Sequence, residues 1–223
     1  MTKTRAWSLS ALNNYETCPR KYHETAVLKR FKEPEGEALV WGNRVHKAFE
    51  EYYRNGKPFP KGMERYKEIA DRFLGAIDWD VVEAERKFAM NRNLDETAYF
   101  ARDVWVRGLA DVLLIKGDTA LVLDWKTGKR KFDDDQLALL AAMVFRGYPG
   151  VTKVRAAFVW LADGDAVDQH LYSRDEQQAL WSRFTGRVKK FDEAFKADDF
   201  PPNPSGLCRR HCPVKTCEYH GGV

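Results

Sequence analysis

Residues 108–126 read GLADVLLIKGDTALVLDWK, and this stretch predicts the centre of the fold. Val, Leu and Ile fill two arms, and Gly-Asp at residues 117–118 marks a tight turn, so we expect a β-hairpin. Three charged side chains interrupt the apolar arms: Asp111, Asp124 and Lys126. Because side chains alternate along a strand, Asp124 and Lys126 should share one face of the sheet.

These charges lie in apolar strands, where a charge is costly unless it is paired or binds a metal. Two carboxylates beside a lysine predict a divalent-metal site for phosphate chemistry. Carboxylate oxygens suit Mg²⁺ or Mn²⁺, and an ammonium can steady an attacking water or a developing oxyanion. The alternative is a structural ion pair between Asp124 and Lys126 on an edge strand. Asp111 disfavours it, because it comes from the other arm and follows Gly108, which permits a close approach by a neighbour or ligand.

Composition sets wide limits on function. The 223 residues carry a net charge of +4, with a pI near 8.8 and a mean hydropathy of −0.57, which is compatible with an anionic partner without requiring one. No apolar run approaches a membrane span, and the first ten residues lack the apolar core of a signal peptide. We therefore expect no membrane association and a cytoplasmic, reducing location. No phosphate-binding loop motif occurs, which argues against an ATPase.

The remaining pattern predicts an α/β fold, with a mixed central sheet over about residues 81–172 flanked by helices. Residues 38–54 have helical periodicity, with Gly42 and His46 four apart on one face. A lone helical histidine is more often structural than a ligand, and only a charged site nearby would reverse that. Residues 81–90 form a strand carrying Glu85, and Gln136 opens a buried helix that follows the Asp124 strand. Further helices are expected over residues 9–17, 63–77 and up to about 197.

The four cysteines are confined to the chain ends: Cys18, then Cys208, Cys212 and Cys217 with spacing C-x3-C-x4-C. Four thiolates serve both tetrahedral zinc and iron–sulfur clusters. A one-plus-three split fits a cluster better than zinc, whereas His211 and His220 keep a mixed-ligand zinc site open. Buried free thiols are the remaining alternative. A shared metal centre would tie the two chain ends together and stabilise the fold.

Taken in order, these motifs resemble those of a known family. They are Cys-Pro-Arg after the first helix, G-x-x-x-H ending at His46, the strand glutamate, G-x-x-D ending at Asp111, D-W-K-T-G-K from Asp124, and the cysteine triplet. The chain resembles a RecB-like nuclease of the PD-(D/E)xK superfamily in its iron–sulfur branch, which includes CRISPR-adaptation exonucleases and AddB-type nuclease domains. The resemblance covers essentially the whole chain.

The resemblance implies a role for each matching residue. His46, Asp111, Asp124 and the carbonyl of Trp125 would bind Mg²⁺ or Mn²⁺, with Glu85 near the metal. Lys126 would position or activate the water, and Gln136 would contact DNA or steady the lysine. A [4Fe–4S] cluster, or alternatively Zn²⁺, would be held by the four cysteines: Cys18, Cys208, Cys212 and Cys217.

Two features depart from the family pattern. The tyrosine of its Q-x-x-x-Y motif is Leu140 here, which bears on the DNA contact more than on hydrolysis. The C-x3-C-x4-C spacing also differs from the C-x2-C common in the CRISPR group.

These observations predict a single nuclease domain over residues 1–223. A metal-cluster lobe would come from about residues 1–35 and 200–223, and a catalytic core from about residues 38–197. The expected activity is metal-dependent hydrolysis of DNA, by an exonuclease acting on single-stranded or end-containing DNA, with recombination, repair or CRISPR-type protein partners left open. The alternative is a non-cleaving DNA-binding or scaffold protein. Basic residues at 20–21 and 129–131 could follow a DNA backbone or be ordinary solvated surface.

Overall fold

The computed structural model describes residues 5–131 and 133–222, and the chain divides into two compact units. One unit, here called the core unit, is residues 36–182. The other, the terminal unit, combines the two chain ends, up to residue 35 and from residue 183 onwards. No helix in the described parts of the chain has the length and apolar character needed to cross a bilayer.

The core unit is built on a five-stranded mixed sheet, as the sequence predicted, with strands in the order β1-β2-β3-β4-β5. All neighbouring strands are antiparallel except β3 and β4, which run parallel and are joined through a helix. The strands are β1 (Val81–Met90), β2 (Val106–Lys116), β3 (Thr119–Lys126), β4 (Lys153–Trp160) and β5 (Ala166–Ser173). Gly117 adopts φ 56° in the β2–β3 turn, which confirms the predicted hairpin.

Helices cover both faces of this sheet. They are α3 (Glu37–Asn55), α4 (Tyr66–Leu74) and α5 (Asp135–Gly147). On one face, Phe49 of α3 stacks on Trp125 of β3 with ring centroids 4.1 Å apart, at the centre of an apolar core shared with α4. On the other face, α5 is buried along most of its length, as its almost wholly apolar sequence predicts. The α4 helix is shorter than the predicted 63–77, because Pro60 and Gly62 hold a turn before it and Gly75 ends it.

A close contact fixes α5 against β2. A β-carbon placed on Gly108 would lie 2.4 Å from the sulfur of Met143 in α5, so no larger side chain fits without movement of that methionine. The neighbour that the glycine was expected to admit is therefore a helix of this same chain. This packing also sets the position of the first turn of α5, which carries Gln136.

The side chains of strand β1 change from one face of the sheet to the other near its middle, at Glu85. This residue has φ 53°, a left-handed conformation that is rare for a non-glycine residue inside a strand. Ala84 packs in the core beneath α3, whereas Phe88 lies against Gly147 of α5. Residues four apart share a face in a regular strand, so the later part of β1 packs on the opposite side. Its partner β2 does the same, with Val112 in the core beneath α3 and Gly108 against Met143 of α5.

The terminal unit contains α1 (Leu9–Thr17), α2 (Pro19–Tyr22) and the later part of α6 (Gln177–Ala197). Ser8 caps α1 as expected, accepting a hydrogen bond from the amide of Ala11. Helix α1 ends at Thr17, as predicted, and Pro19 follows it directly after Cys18. It stands at the first position of α2, where its missing N–H costs nothing. Rings from both chain ends pack together, including Tyr22 and Phe191 at 5.6 Å.

Candidate active site

Two carboxylates lie inside the sheet of the core unit. Asp111 on β2 and Asp124 on β3 are 7% and 4% exposed, and they are the buried charged residues among those the structure describes. The amide of Trp125 donates a 2.8 Å hydrogen bond to Oδ2 of Asp111, which orients that carboxylate between the two strands. Each carboxylate meets a basic side chain at the edge of the core, Asp124 with Lys126 and Asp111 with His46, and these partners determine what the buried charges can do.

His46 reaches this pair from α3. Its Nδ1 lies 3.1 Å from Oδ2 of Asp111. The approach depends on Gly42, one turn earlier, because a β-carbon there would already lie 3.1 Å from the hydroxyl oxygen of Thr127. A small residue at position 42 thus lets α3 pack against the segment after β3, and the imidazole then meets the carboxylate.

Glu85 faces Asp111 across the β1–β2 ladder. The strands keep one register on both sides of it, with Ala84 paired to Val112 and Arg86 to Ala110. Ligand atoms of His46, Glu85 and Asp111 all lie within 4.8 Å of one another. Two oxygens bound on opposite sides of a Mg²⁺ ion are about 4.2 Å apart, so a small closure of this group would suit a divalent cation. The imidazole shifts the preference from Mg²⁺ towards Mn²⁺.

Lys126 belongs to a second network, next to this group. Its Nζ lies 2.6 Å from Oδ2 of Asp124 and donates a 2.8 Å hydrogen bond to Oε1 of Gln136. The amide nitrogen of Gln136 in turn donates to Oδ1 of Asp124. The ammonium also lies 4.6 Å from the ring centroid of Phe158. Oδ1 of Asp124 thus accepts a hydrogen bond, whereas the buried Oδ2 has the charge of Lys126 nearby but accepts no hydrogen bond from the residues that the structure describes. This predicted metal ligand is not part of the His46–Glu85–Asp111 group.

Crowding of the carboxylates changes their protonation. Burial, followed by the charge of Asp111, raises the pKa of Asp124 to about 6, although Lys126 opposes the shift. Burial and then Asp111 also raise the pKa of Glu85. For His46, burial favours the neutral ring, but the hydrogen bond and charge of Asp111 outweigh burial, so the imidazole pKa is raised. Each shift has the direction expected of a site with excess negative charge, which a divalent cation would relieve.

All six predicted catalytic and metal-binding side chains of the core unit line one cavity of about 590 Å³: His46, Glu85, Asp111, Asp124, Lys126 and Gln136. Asn43 and Glu50 also line it, and the sequence analysis did not single them out. They stand three residues before and four after the histidine on α3. Helical spacing alone could have identified them, because these positions share a face.

The four predicted cysteine ligands lie together in the terminal unit. None forms a disulfide. They surround one small pocket: Cys18, Cys208, Cys212 and Cys217. Backbone amides point at two of the sulfurs, with Asn203 N 3.4 Å from the sulfur of residue 18 and Ser205 N 3.5 Å from that of residue 208.

The chain matches the family model of the PD-(D/E)XK nuclease superfamily over residues 6–217. Among solved structures it is similar to a candidate exonuclease from Eubacterium rectale, with 12% sequence identity, a TM-score of 0.54, and coverage of 92% of this chain and 86% of that chain. SSO0001 has 10% identity and a TM-score of 0.46, covering 96% of this chain and 86% of its own. No curated protein matches the chain. At such identities the structural similarity concerns the fold alone.

Proposed function

This chain belongs to the PD-(D/E)XK nuclease superfamily, and we propose that it is a divalent-metal-dependent nuclease that hydrolyses phosphodiester bonds of DNA. Nucleases of this superfamily use divalent metals. The observation that carries the proposal is the single cavity in which a His-Glu-Asp group lies beside a Lys-Gln-Asp network. A binding protein without catalysis has no need of a half-buried ammonium held between a carboxylate and an amide.

In this proposal, each network has a separate task. His46, Glu85 and Asp111 hold Mn²⁺ or Mg²⁺, with the carbonyl of Trp125 as a further ligand. The bound cation supplies Lewis acidity, which polarises the scissile phosphate and lowers the pKa of the attacking water. Asp124 would serve as a further ligand through its Oδ2, which accepts no hydrogen bond within the described parts of the chain.

Lys126 orients the attacking water or stabilises the charge that develops on the phosphate oxygens. Gln136 accepts one ammonium hydrogen at 2.8 Å and limits the directions in which the ammonium can point. The ring of Phe158 covers the lysine on one side and excludes water from it. The low local dielectric strengthens the interaction of the ammonium with developing charge.

We assign the mode of cleavage as exonucleolytic, on single-stranded or end-containing DNA. This assignment rests on the resemblance to RecB-like nucleases, in which the order of motifs is the same along the chain. The solved structure that this fold is similar to is named as a candidate exonuclease, in line with the assignment.

For the four cysteines, we propose a structural [4Fe–4S] cluster in place of zinc. Four thiolates bound tetrahedrally to zinc at 2.3 Å lie about 3.8 Å apart. Within residues 5–131 and 133–222, the thiols are not among the groups whose ligand atoms all lie within 4.8 Å. A cluster spaces its thiolates more widely, because each sulfur binds a different iron.

The test of hydrolysis uses DNA labelled at the 5′ or the 3′ end, single- or double-stranded, with Mn²⁺ or with EDTA. We expect shortening of the strand in Mn²⁺ alone, and at least about a hundredfold slower cleavage by Lys126→Ala, which loses a group acting on transition-state charge. Lys67→Ala is the matched control, because this lysine pairs with Asp71 on α4 and does not line the cavity. Binding of DNA without shortening in Mn²⁺ would instead support a non-cleaving protein.

The test of the cluster is anaerobic purification followed by visible absorbance and metal analysis. We expect a brown protein whose colour is lost in Cys18→Ser and kept in His211→Ala, since the histidine is not a ligand. A colourless protein with one zinc per chain would overturn the iron–sulfur assignment and leave the nuclease assignment intact.

A further inference from the structure

Phe100 is an apolar side chain left in solvent near the candidate active site. It is 83% exposed, the largest fraction among the exposed large apolar residues that the structure describes. It lies in the connection between β1 and β2, next to Tyr99, whose ring meets it edge-on at 5.1 Å. A single exposed phenylalanine is unremarkable by itself, so its surroundings decide whether it has a role.

Two cations flank the tyrosine beside it. Nζ of Lys87 lies 5.7 Å from the centroid of the Tyr99 ring, and the guanidinium carbon of Arg107 lies 5.4 Å from it. Arg107 also donates a 2.7 Å hydrogen bond to the carbonyl of Tyr99, which fixes the connection to β2. Neither cation forms an ion pair within the described residues, so both charges remain available to an anion.

Leu109 links these groups to the catalytic cavity. It lines the cavity, is 37% exposed, and is the cross-strand partner of Lys87. Arg107 follows on the same face of β2, about 7 Å further along the strand. These five residues form one continuous surface from the cavity to the exposed ring, which we call the cation–aromatic strip: Leu109, Lys87, Arg107, Tyr99 and Phe100.

Two acids of the same connection are paired with cations outside the strip. Asp95 lies 3.5 Å from Arg146 of α5, and Glu96 pairs with Arg86. Glu96 also lies against Gly147, at the end of α5. By contrast, the basic residues 129–131 noted in the sequence include Arg130, which is paired with Asp168. The strip is therefore better able to attract phosphate than the more obvious basic segment.

We propose that the cation–aromatic strip binds single-stranded DNA and leads it to the cavity. Phe100 stacks on an unpaired base, while Lys87 and Arg107 contact the phosphates on either side of Tyr99. Aromatic stacking combined with cations along a groove is how proteins bind single strands without reading sequence. A duplex hides its base faces, so the strip selects unpaired strands. This inference rests on the proposed nuclease function and names its substrate class.

The experiment measures binding of a fluorescein-labelled oligothymidylate by fluorescence anisotropy, with the full chain in EDTA so that no cleavage occurs. The variants are Phe100→Ala, Phe100→Trp and Lys87→Gln. Leu171→Ala is the control, because this residue is 55% exposed on β5, away from the strip. Hydrolysis of bis(p-nitrophenyl) phosphate in Mn²⁺ is measured alongside, since this small diester reaches the cavity without needing Lys87 or Phe100, neither of which lines it.

We expect Phe100→Ala to weaken binding about tenfold, as loss of one stacked base does, with no loss on an oligonucleotide of abasic sites. Phe100→Trp should bind as well as the wild type. Lys87→Gln should reduce the slope of log affinity against log salt by about 0.7, the value for one phosphate contact on a single strand. All variants should hydrolyse the small diester at the wild-type rate.

Two outcomes would overturn the strip. One is an affinity of Phe100→Ala for the oligonucleotide within twofold of that of Leu171→Ala, which would show that Phe100 does not bind DNA. This result is also expected if Phe100 contacts a protein partner instead. The other is an equal loss on the abasic strand, which would show that no base is stacked. Wild-type protein that cleaves neither DNA nor the diester, yet loses binding in Phe100→Ala, would refute the nuclease function and support the strip.

Discussion

Replacement of Glu85 by glycine separates backbone strain from metal binding at one residue. Glu85 has φ 53°, and a left-handed backbone costs a residue with a β-carbon about 1–2 kcal/mol. Glycine avoids this cost but loses about 0.5–1 kcal/mol through its greater freedom in the unfolded chain. Both Glu85→Ala and Glu85→Gly remove the carboxylate, so their difference isolates the strain. We expect Glu85→Gly to be the more stable of the two by about 1 kcal/mol, or roughly 2–4 °C in Tm for a chain of this size.

Both variants should nevertheless lose affinity for Mn²⁺. Glu85 lies within 4.8 Å of the ligand atoms of His46 and Asp111. A loss of about tenfold in affinity lowers the stabilisation by saturating Mn²⁺ by about 1.4 kcal/mol. Thermal melts followed by circular dichroism, with EDTA and with Mn²⁺, measure both effects in one series.

Leu94 supplies the matched control, because it also has a left-handed backbone, with φ 63°, and does not line the cavity. Leu94→Gly should exceed Leu94→Ala in stability by a similar amount and leave the response to Mn²⁺ unchanged. The reasoning fails if Glu85→Gly melts below Glu85→Ala, or if either variant keeps the wild-type response to Mn²⁺.

Three further outcomes are expected. Gln136→Leu should slow cleavage about tenfold to a hundredfold with Mn²⁺ affinity within twofold of wild type, because it releases Lys126 without removing a ligand; unchanged kcat would contradict this. His46→Gln should reduce the preference for Mn²⁺ over Mg²⁺, since an amide oxygen replaces the imidazole. The ratio of the cleavage rates with the two ions tests this, and a wild-type ratio would exclude the histidine as a ligand. Mn²⁺ affinity should fall as pH drops below about 6, because Asp124 and His46 have raised pKa values and take up protons that compete with the ion. Calorimetric titrations at pH 5 and 7.5 measure this affinity, and equal values at the two pH values would refute the prediction.

The hairpin and its charges were predictable because the information is local. Alternation along β3 places Asp124 and Lys126 on one face. The 2.6 Å between Oδ2 of Asp124 and Nζ of Lys126 agrees with that expectation. Gly117 predicts the turn, and the uninterrupted apolar sequence of α5 predicts that this helix is buried. Each of these features depends on residues close together in the chain, where propensity and pattern are informative.

Other features depend on contacts between distant parts of the chain. The left-handed backbone of Glu85 has no local sign, since glutamate does not favour it and the surrounding strand pattern is ordinary. The exposure of Phe100 also has no sign in the local sequence, because a phenylalanine among polar residues can lie in the core or on the surface. The role of Pro19 is another example, because a proline can end one helix or open the next at its first position, and only the tertiary structure decides between the two.

The absence of a side chain at Gly108 has a consequence for how this protein can change. Met143, which fills that space, lies seven residues, or about two helical turns, along α5 from Gln136. A larger residue at position 108 would force Met143 into another rotamer or move α5, and movement of α5 would shift the amide of Gln136. We therefore expect substitutions in this part of the sheet to change the rate of cleavage before they prevent folding.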